Sequence, residues 1–450
     1  MKLFVFIISL LFPISILANN VDSLTNRLDL VENEEKVDLL NQLLEEVSKS
    51  NPNLAFEYGR KALDLAKKII YKKGIADSST NLGNLYFKKG AFSRSDSLVI
   101  LAMNIYDRLN DEEGQAKCHM ILGNNLYRNN NPSKSIFHFD QSRKIYEKLD
   151  SPSQLASLYI NYGNAYWYKN QIDTAQIYYE KSLDLAIQNG LKSHQSVALS
   201  NLAIVSNDLG DLVQSIKYDL RAIALAKSEK NYERLANIRY NLGITLKDLK
   251  LYSEGLNFIQ DAKIYYDSTD NRRSIALCLG GIADILGKQG DHNKSLDFYK
   301  RKYAIYKELG INKLGHNLGN IGNAYRKLGV PDSARWYLEK SHSYKKSSNN
   351  KRSIAFYHLQ SGLLDLMEKD TLSAKENFLT SIKLMSEMKF LLEKNDLAAQ
   401  LSKIYLNQKD FEQAAYYQNM TAELTDSLFN IEKASESNRL LIKEEINYFK

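Results

Sequence analysis

The chain has little of what breaks or staples a fold. Only five prolines occur in 450 residues, which leaves long stretches free to be helical, since proline is the residue that most often ends a helix from within. Two cysteines, Cys118 and Cys278, cannot build a disulfide framework. Basic runs and basic helical stripes are missing. The net charge of +7 comes from 60 Lys and Arg against 53 Asp and Glu spread over the whole length, so nucleic acid is not implied. Neither Gly-x-x-x-x-Gly-Lys-Ser/Thr, nor Cys-x-x-Cys, nor His-Glu-x-x-His is present, which removes the sequence basis for a phosphate cradle or a metal centre. The seven histidines (His119, His138, His194, His292, His316, His342 and His358) fall at mixed phases, no two of them three or four apart, and read as isolated side chains. No catalytic residue, metal ligand or cofactor is assigned, and the chain reads as non-enzymatic.

Long apolar runs are also missing, with one exception. Lys2 precedes a stretch from Leu3 to Leu17 broken only by Ser9, Pro13 and Ser15, and Ala18 stands before polar Asn19 and Asn20. This reads as a secretory signal peptide over residues 1–18, and it places the mature chain in the periplasm or another extracytoplasmic space. The stretch is shorter than the ~20 residues that span a bilayer, and no later segment approaches that length, so no transmembrane segment is expected in the mature chain. Hydrophobic residues make up 44% and charged residues 25%, an ordinary soluble composition. A single core rarely grows to this size, which leaves several domains or a repeat array.

A fixed period settles that choice. The segments Asn81-Leu-Gly-Asn-Leu-Tyr86, Ile121-Leu-Gly-Asn124, Asn161-Tyr-Gly-Asn-Ala-Tyr166, Asn241-Leu-Gly243 and Asn320-Ile-Gly-Asn-Ala-Tyr325 line up. Their central residues, which we call anchors, are Gly83, Gly123, Gly163, Ala203, Gly243, Ala283, Gly322, Gly362 and Ser402, spaced by 40 except for one step of 39 before Gly322. Leu43 marks an earlier copy. Twelve residues after each anchor the side chain is always small, from Ala55 to Ala414, and nineteen after it is small everywhere except Lys302. Small side chains let two helix backbones come close, as an antiparallel pair stacked on its neighbours requires. Turn signals such as Asn129-Asn-Asn-Pro132, Leu209-Gly-Asp211 and Gln289-Gly-Asp291 recur at one phase, so each copy reads as helix A, turn, helix B, turn. The missing residue falls in the turn after Leu309. The cysteines share one helix-A position four repeats apart, too far for a bridge, and are expected as free buried thiols.

The pattern resembles the tetratricopeptide repeat, whose Leu-Gly…Tyr helix-A motif matches Leu82, Gly83 and Tyr86, then Tyr162, Gly163 and Tyr166, then Ile321, Gly322 and Tyr325. The longer 40-residue form with Leu-Gly-Asn looks like the Pins and kinesin-light-chain branch. The resemblance implies an all-α fold, a right-handed α-solenoid of about ten helix-turn-helix repeats over residues 35–430, after a lead-in at 19–34, with a C-terminal helix at 431–450.

Two residues before the anchors stand Asn41, Asn81, Asn161, Asn201, Asn241 and Asn320, with Gln360 and Gln400 continuing the row; one residue after stand Asn84, Asn124, Asn164 and Asn323. Positions three apart share a helix face. In the resembling families this face lines a concave groove and its asparagines clamp a peptide backbone, which suits a group that both donates and accepts. Four and five residues after the anchors, Tyr127 with Arg128 and Trp167 with Tyr168 add anchoring side chains. These residues form the expected partner-binding set, and the partner is a protein or an extended peptide. The alternative reading of the same amides is cross-linking between neighbouring helices. The tail carries a broken apolar stripe, Leu428, Ile431, Ala434, Leu441 and Ile442, which reads either as a cap on the last repeat or as a coiled-coil linker like that of exported repeat sensors. Two functions follow: an exported scaffold or adaptor, or the sensor half of a histidine-kinase-type signalling system without its membrane and catalytic modules.

Overall fold

The computed structural model describes residues 21–48, 51–129, 131–311, 314–346, 351–386 and 391–449, and no strand occurs among them. The signal peptide therefore lies outside the described residues. Ten helix pairs follow one another, with odd numbers for helix A and even numbers for helix B. The first five pairs are α1 (Asn33–Val47) and α2 (Pro52–Lys68), α3 (Lys72–Lys89) and α4 (Phe92–Leu109), α5 (Glu112–Arg128) and α6 (Pro132–Lys148), α7 (Pro152–Tyr168) and α8 (Ile172–Gln188), and α9 (Lys192–Leu209) and α10 (Leu212–Ser228). The second five are α11 (Tyr232–Asp248) and α12 (Tyr252–Ser268), α13 (Arg272–Lys288) and α14 (His292–Glu308), α15 (Leu314–Lys327) and α16 (Pro331–Lys346), α17 (Lys351–Met367) and α18 (Thr371–Leu384), and α19 (Leu391–Asn407) and α20 (Phe411–Phe449). The chain forms two compact units, Met1–Asn231 and Tyr232–Lys450, and each is a run of such hairpins, helix B of one repeat packing on helix A of the next. None of the described helices is long and apolar enough to cross a membrane.

What ends most of the described helices is a residue with left-handed backbone. Such residues stand at Ile70, Gly90, Asn110, Asp150, Asn170, Gly190, Gly210, Lys230, Lys250, Asp270, Gly290 and Gly310, in steps of 20 or 40, and then at Gly329, Lys369 and Lys409. The one step of 19 locates the missing residue between Gly310 and Gly329. At each the chain closes a Schellman turn: Tyr71 N–H donates to Ala66 O at 2.9 Å, and Asp211 N–H to Ser206 O at 2.8 Å. Pro52, Pro132, Pro152 and Pro331 all occupy the first residue of a helix, where the missing N–H has no intrahelical partner to lose. Asp111, Asp211, Asn271, Asp291 and Asp370 cap the backbone N–H three residues on.

The anchors work as the small-residue pattern predicts, against one partner position. A methyl group placed on Gly83 would stand 2.5 Å from Val99, on Gly123 2.4 Å from Phe139, on Gly163 2.4 Å from Tyr179, on Gly243 2.5 Å from Ile259, and on Gly362 2.6 Å from Phe378. Each partner lies sixteen residues after its anchor, on helix B, so a large side chain there fills the space the missing Cβ leaves. In repeat one the sizes are exchanged, Leu43 at the anchor and Gly59 sixteen later. The other small positions also carry hydrogen bonds. Ser95 and Ser295 donate to the anchor carbonyls of Gly83 and Ala283 at 2.7 and 2.8 Å. Ser142, Ser182, Ser341 and Ser381 reach the carbonyls of Ala116, Ala156, Gly315 and Ala355 at 2.6–3.0 Å. Lys302, the one large exception, lies over Gly280, where an added Cβ would meet its Nζ at 2.6 Å. Cys118 and Cys278 are free and buried as expected, and burial pushes both thiols up to about 12.

Repeat five breaks the packing rule. Where its sisters place Val99, Phe139, Tyr179 and Ile259 against the anchor, it places Asp219, which is 1% exposed and whose two carboxylate oxygens have no hydrogen-bond partner among the described residues. Desolvation raises its carboxyl well above the usual value of 3.8.

Two outcomes follow. Ile70 holds a left-handed conformation at φ 60° with its side chain 75% exposed, so Ile70→Gly removes strain without removing packing. Urea denaturation should show a gain of about 1 kcal/mol; a loss would mean that Ile70 makes a contact the fold does not explain. Asp219→Leu should stabilise the chain at pH 7 by roughly 1–3 kcal/mol. The wild-type carboxyl favours folding most below its unfolded value near 3.8 and loses that contribution as pH rises through its raised folded value. Asp219→Asn should therefore flatten the decline in stability as pH rises above the unfolded value near 3.8, and an unchanged profile would remove Asp219 as its source.

Candidate functional site

Within each unit the A helices are the inner layer. α1 touches α3, α3 touches α5, α5 touches α7 and α7 touches α9; in the second unit α11 touches α13 and α15 touches α17. Consecutive B helices make no comparable contact among the described residues. A run of hairpins whose A helices approach one another while its B helices spread is curved with helix A inside. The asparagine row thus lies on the inner layer.

The row divides into engaged and open amides. In the first unit Asn41 is 6% exposed and donates to Ser78 Oγ at 2.9 Å, sealed between α1 and α3. Asn81 donates to Glu45 Oε1 at 3.2 Å, and Asn164 Oδ1 accepts from the Tyr179 hydroxyl at 2.8 Å. Asn124 turns its Oδ1 into a buried position without a hydrogen-bond partner among the described residues. Asn84, Asn161 and Asn201 are half-buried, and among the described residues none makes a side-chain hydrogen bond. In the second unit Asn241 and Asn320 are open in the same way. Asn323 accepts from Arg326 Nη2 at 2.9 Å, and the same guanidinium donates through Nε to Gln360 Oε1 at 3.1 Å, so the ladder amide of repeat nine is engaged as well. The cross-linking role therefore describes part of the row.

Two members of the expected set are corrected by burial. Asn41 faces the next helix, because repeat two offers Ser78 one layer away. Tyr127 is 6% exposed in the apolar cluster of repeats three and four, its ring packed 6.4 Å from Phe139. Burial raises its hydroxyl pKa.

The other three aromatic and basic residues come together. Arg128 Nη1 donates to the Tyr168 hydroxyl at 3.3 Å, and Trp167 Nε1 donates to Asp208 Oδ2 at 2.7 Å. These bonds join the C-terminal ends of α5, α7 and α9 into one strip. The Tyr168 ring lies 5.3 Å from Tyr127 and 5.4 Å from Trp167, while Trp167 and Tyr168 remain 37% and 45% exposed. Amphipathic rings held by polar tips suit a surface that anchors partner side chains.

The structure also pairs residues that the sequence left apart. His119 Nδ1 lies 3.0 Å from His138 Nδ1, four before and fifteen after the anchor Gly123. One nitrogen must carry the proton and the other be bare. Burial, and then the neighbouring imidazole, lowers His119 to about 4; burial lowers His138 as well. The same two positions meet in repeat nine, where His358 Nδ1 lies 2.7 Å from Asn377 Oδ1, and in repeat four, where the Tyr159 and Tyr178 rings are 6.2 Å apart. A separation of 19 across the A–B turn was the signal available in the sequence.

A family model described as tetratricopeptide repeat matches residues 156–188, which is helix A and helix B of repeat four. No curated protein matches the chain. Among solved structures, a Rap protein complexed with Competence and Sporulation Factor is 14% identical and superposes with a TM-score of 0.58 over 79% of this chain and 99% of its own. The apo quorum sensor NprR from B. thuringiensis is 16% identical, with a TM-score of 0.56 over 80% of this chain and 99% of its own. NprR in complex with its cognate peptide NprX is 15% identical, with a TM-score of 0.52 over 77% of this chain and 97% of its own. With ten helix pairs, the anchor packing and this match in hand, the chain is an all-helical tetratricopeptide-repeat solenoid.

Proposed function

We propose that this chain is an exported, non-enzymatic scaffold that holds an extended peptide or protein segment along its A helices. In the first unit the contacts are made by Asn84, Asn161 and Asn201, with Arg128, Trp167 and Tyr168 as side-chain anchors. The observation that carries this reading is the pair of open amides, Asn161 and Asn201, on the inner layer of adjacent repeats. Asparagine is a poor mid-helix residue, and neither side chain repays that by bonding within the fold. An amide that both donates and accepts can satisfy a guest backbone without reading its sequence. The peptide-bound NprR and the factor-bound Rap protein support the reading by sharing the fold. Sensing is the second reading, in which the captured peptide is itself the signal; the description of NprR as a quorum sensor favours it.

Panning a random peptide library on the purified chain should yield binders. Asn161→Ala with Asn201→Ala should weaken the best of them about tenfold or more, at about 1 kcal/mol for each lost bond, with circular dichroism unchanged. Equal affinity for both proteins would sink the role of the amides. Export has its own check: N-terminal sequencing of the protein from its native host should begin at Asn19, and a chain retaining Met1 in the cytosol counts against it.

A further inference from the structure

The last helix continues far past its own repeat. α20 runs to Phe449, and its far part lies against the first repeat of the same unit. Arg439 Nε donates to Leu249 O at 2.8 Å, and Lys443 Nζ stands 3.9 Å from Glu254 Oε1. Ile442 and Ile446 are 0% and 1% exposed. Positions 439, 442, 443 and 446 fall at i, i+3, i+4 and i+7, one face of the helix. That face presents two aliphatic side chains with a cation beside each. Of the tail stripe expected from sequence, Ile442 is thus buried, while Ile431, Ala434 and Leu441 lie outside the described side chains.

The sixth repeat carries a matching feature. Its A–B turn reads Leu249-Lys-Leu251, where sister repeats place Lys89 and Ala91, Lys169 and Gln171, Gln289 and Asp291, or Gln408 and Asp410 around the left-handed residue. Leu209 occupies the same position as Leu249 one repeat earlier and is 47% exposed; Leu249 is 1% exposed and Leu251 4%. Repeat eight also has two apolar residues there, Leu328 and Val330, and its Val330 stays 41% exposed. The Leu249 carbonyl stands just beyond the C-terminus of α11, where unpaired carbonyls and the helix dipole favour a guanidinium. Apolar residues thus replace polar ones at a turn where a distant helix arrives with buried aliphatics and a donor for the free carbonyl.

We propose that the Leu249–Leu251 turn is a docking site for an amphipathic helix of pattern Arg-x-x-Ile-Lys-x-x-Ile, and that residues 438–446 occupy it as a releasable latch. Two buried aliphatic side chains and two polar contacts, one to the turn and one to Glu254 in the first turn of α12, are a small anchorage beside the helix-on-helix seams of the repeats. The latch therefore opens before the repeats do. While closed, it ties the tenth repeat back to the sixth; open, it exposes an apolar turn that accepts the same helix face from outside.

The test uses the full chain in two forms. The first carries the turn of repeat seven, Leu249→Gln, Lys250→Gly and Leu251→Asp, which also places glycine at a left-handed position. Hydrogen exchange should be at least ten times faster at amides 438–446 than in wild type, with α11–α19 unchanged; unaltered exchange at 438–446 overturns the proposal. The second carries Ile442→Asp and Ile446→Asp and is mixed with a labelled peptide of residues 434–450. It should bind the peptide at least ten times more tightly than wild type, whose site is filled, and equal binding by both, or none by the variant, overturns the proposal. Circular dichroism identifies a form that has lost its repeats, and the other form then decides.

Discussion

One close approach per repeat organises this molecule. Helix A comes so near helix B at the anchor that even a methyl group on Gly123 or Gly163 would collide with Phe139 or Tyr179. The large residue sixteen positions on is what makes the narrow anchor necessary, and the narrow anchor is what gives the large residue a slot. Serines twelve and nineteen after the anchor then bond carbonyls of the same hairpin, such as Gly83 and Ala116, so small size and hydrogen bonding come from one side chain. Once that geometry is fixed, both ends of the A helices fall in line, and residues at equal phase in neighbouring repeats become neighbours in space. Arg128 and Tyr168, forty residues apart, touch for that reason.

The repeat, its period, the turn phases and the free thiols were legible in the sequence because they depend on residue size at fixed spacing, which a single chain displays many times over. Helix ends were legible where glycine or asparagine takes the left-handed position. They were not legible where Ile70, Lys230, Lys250 or Lys369 does, since those side chains have no preference for it and the neighbouring packing imposes it. The binding row was half legible. Phase placed every amide on the inner helix, but whether an amide is open depends on a partner one repeat away: Ser78 for Asn41, Arg326 for Gln360. The His119–His138 pair and the docking of residue 439 on residue 249 depend on which segments meet, and local spacing does not state that.

Exceptions to the repeat are where the molecule becomes particular. Lys302 is tolerated because Gly280 makes room, which is structural compensation. Asp219 has no compensating hydrogen-bond partner among the described residues. Leu249 and Leu251 are compensated by a helix from the far end of the unit. The open amides at Asn161 and Asn201 resemble Asp219 in carrying polar groups without partners, but they remain in reach of solvent, so water satisfies them at little cost until a guest replaces it.

The serine-to-carbonyl bonds have a mechanical consequence. Those from Ser95, Ser142, Ser182, Ser295, Ser341 and Ser381 each link the two helices of a single repeat, while successive repeats meet chiefly through side chains. Tension along either unit therefore loads seams that yield by sliding before it loads the stiffer cross-tied hairpins. The array stretches as an elastic stack of rigid plates, and it regains its rest length when the pull is removed without having to refold any plate.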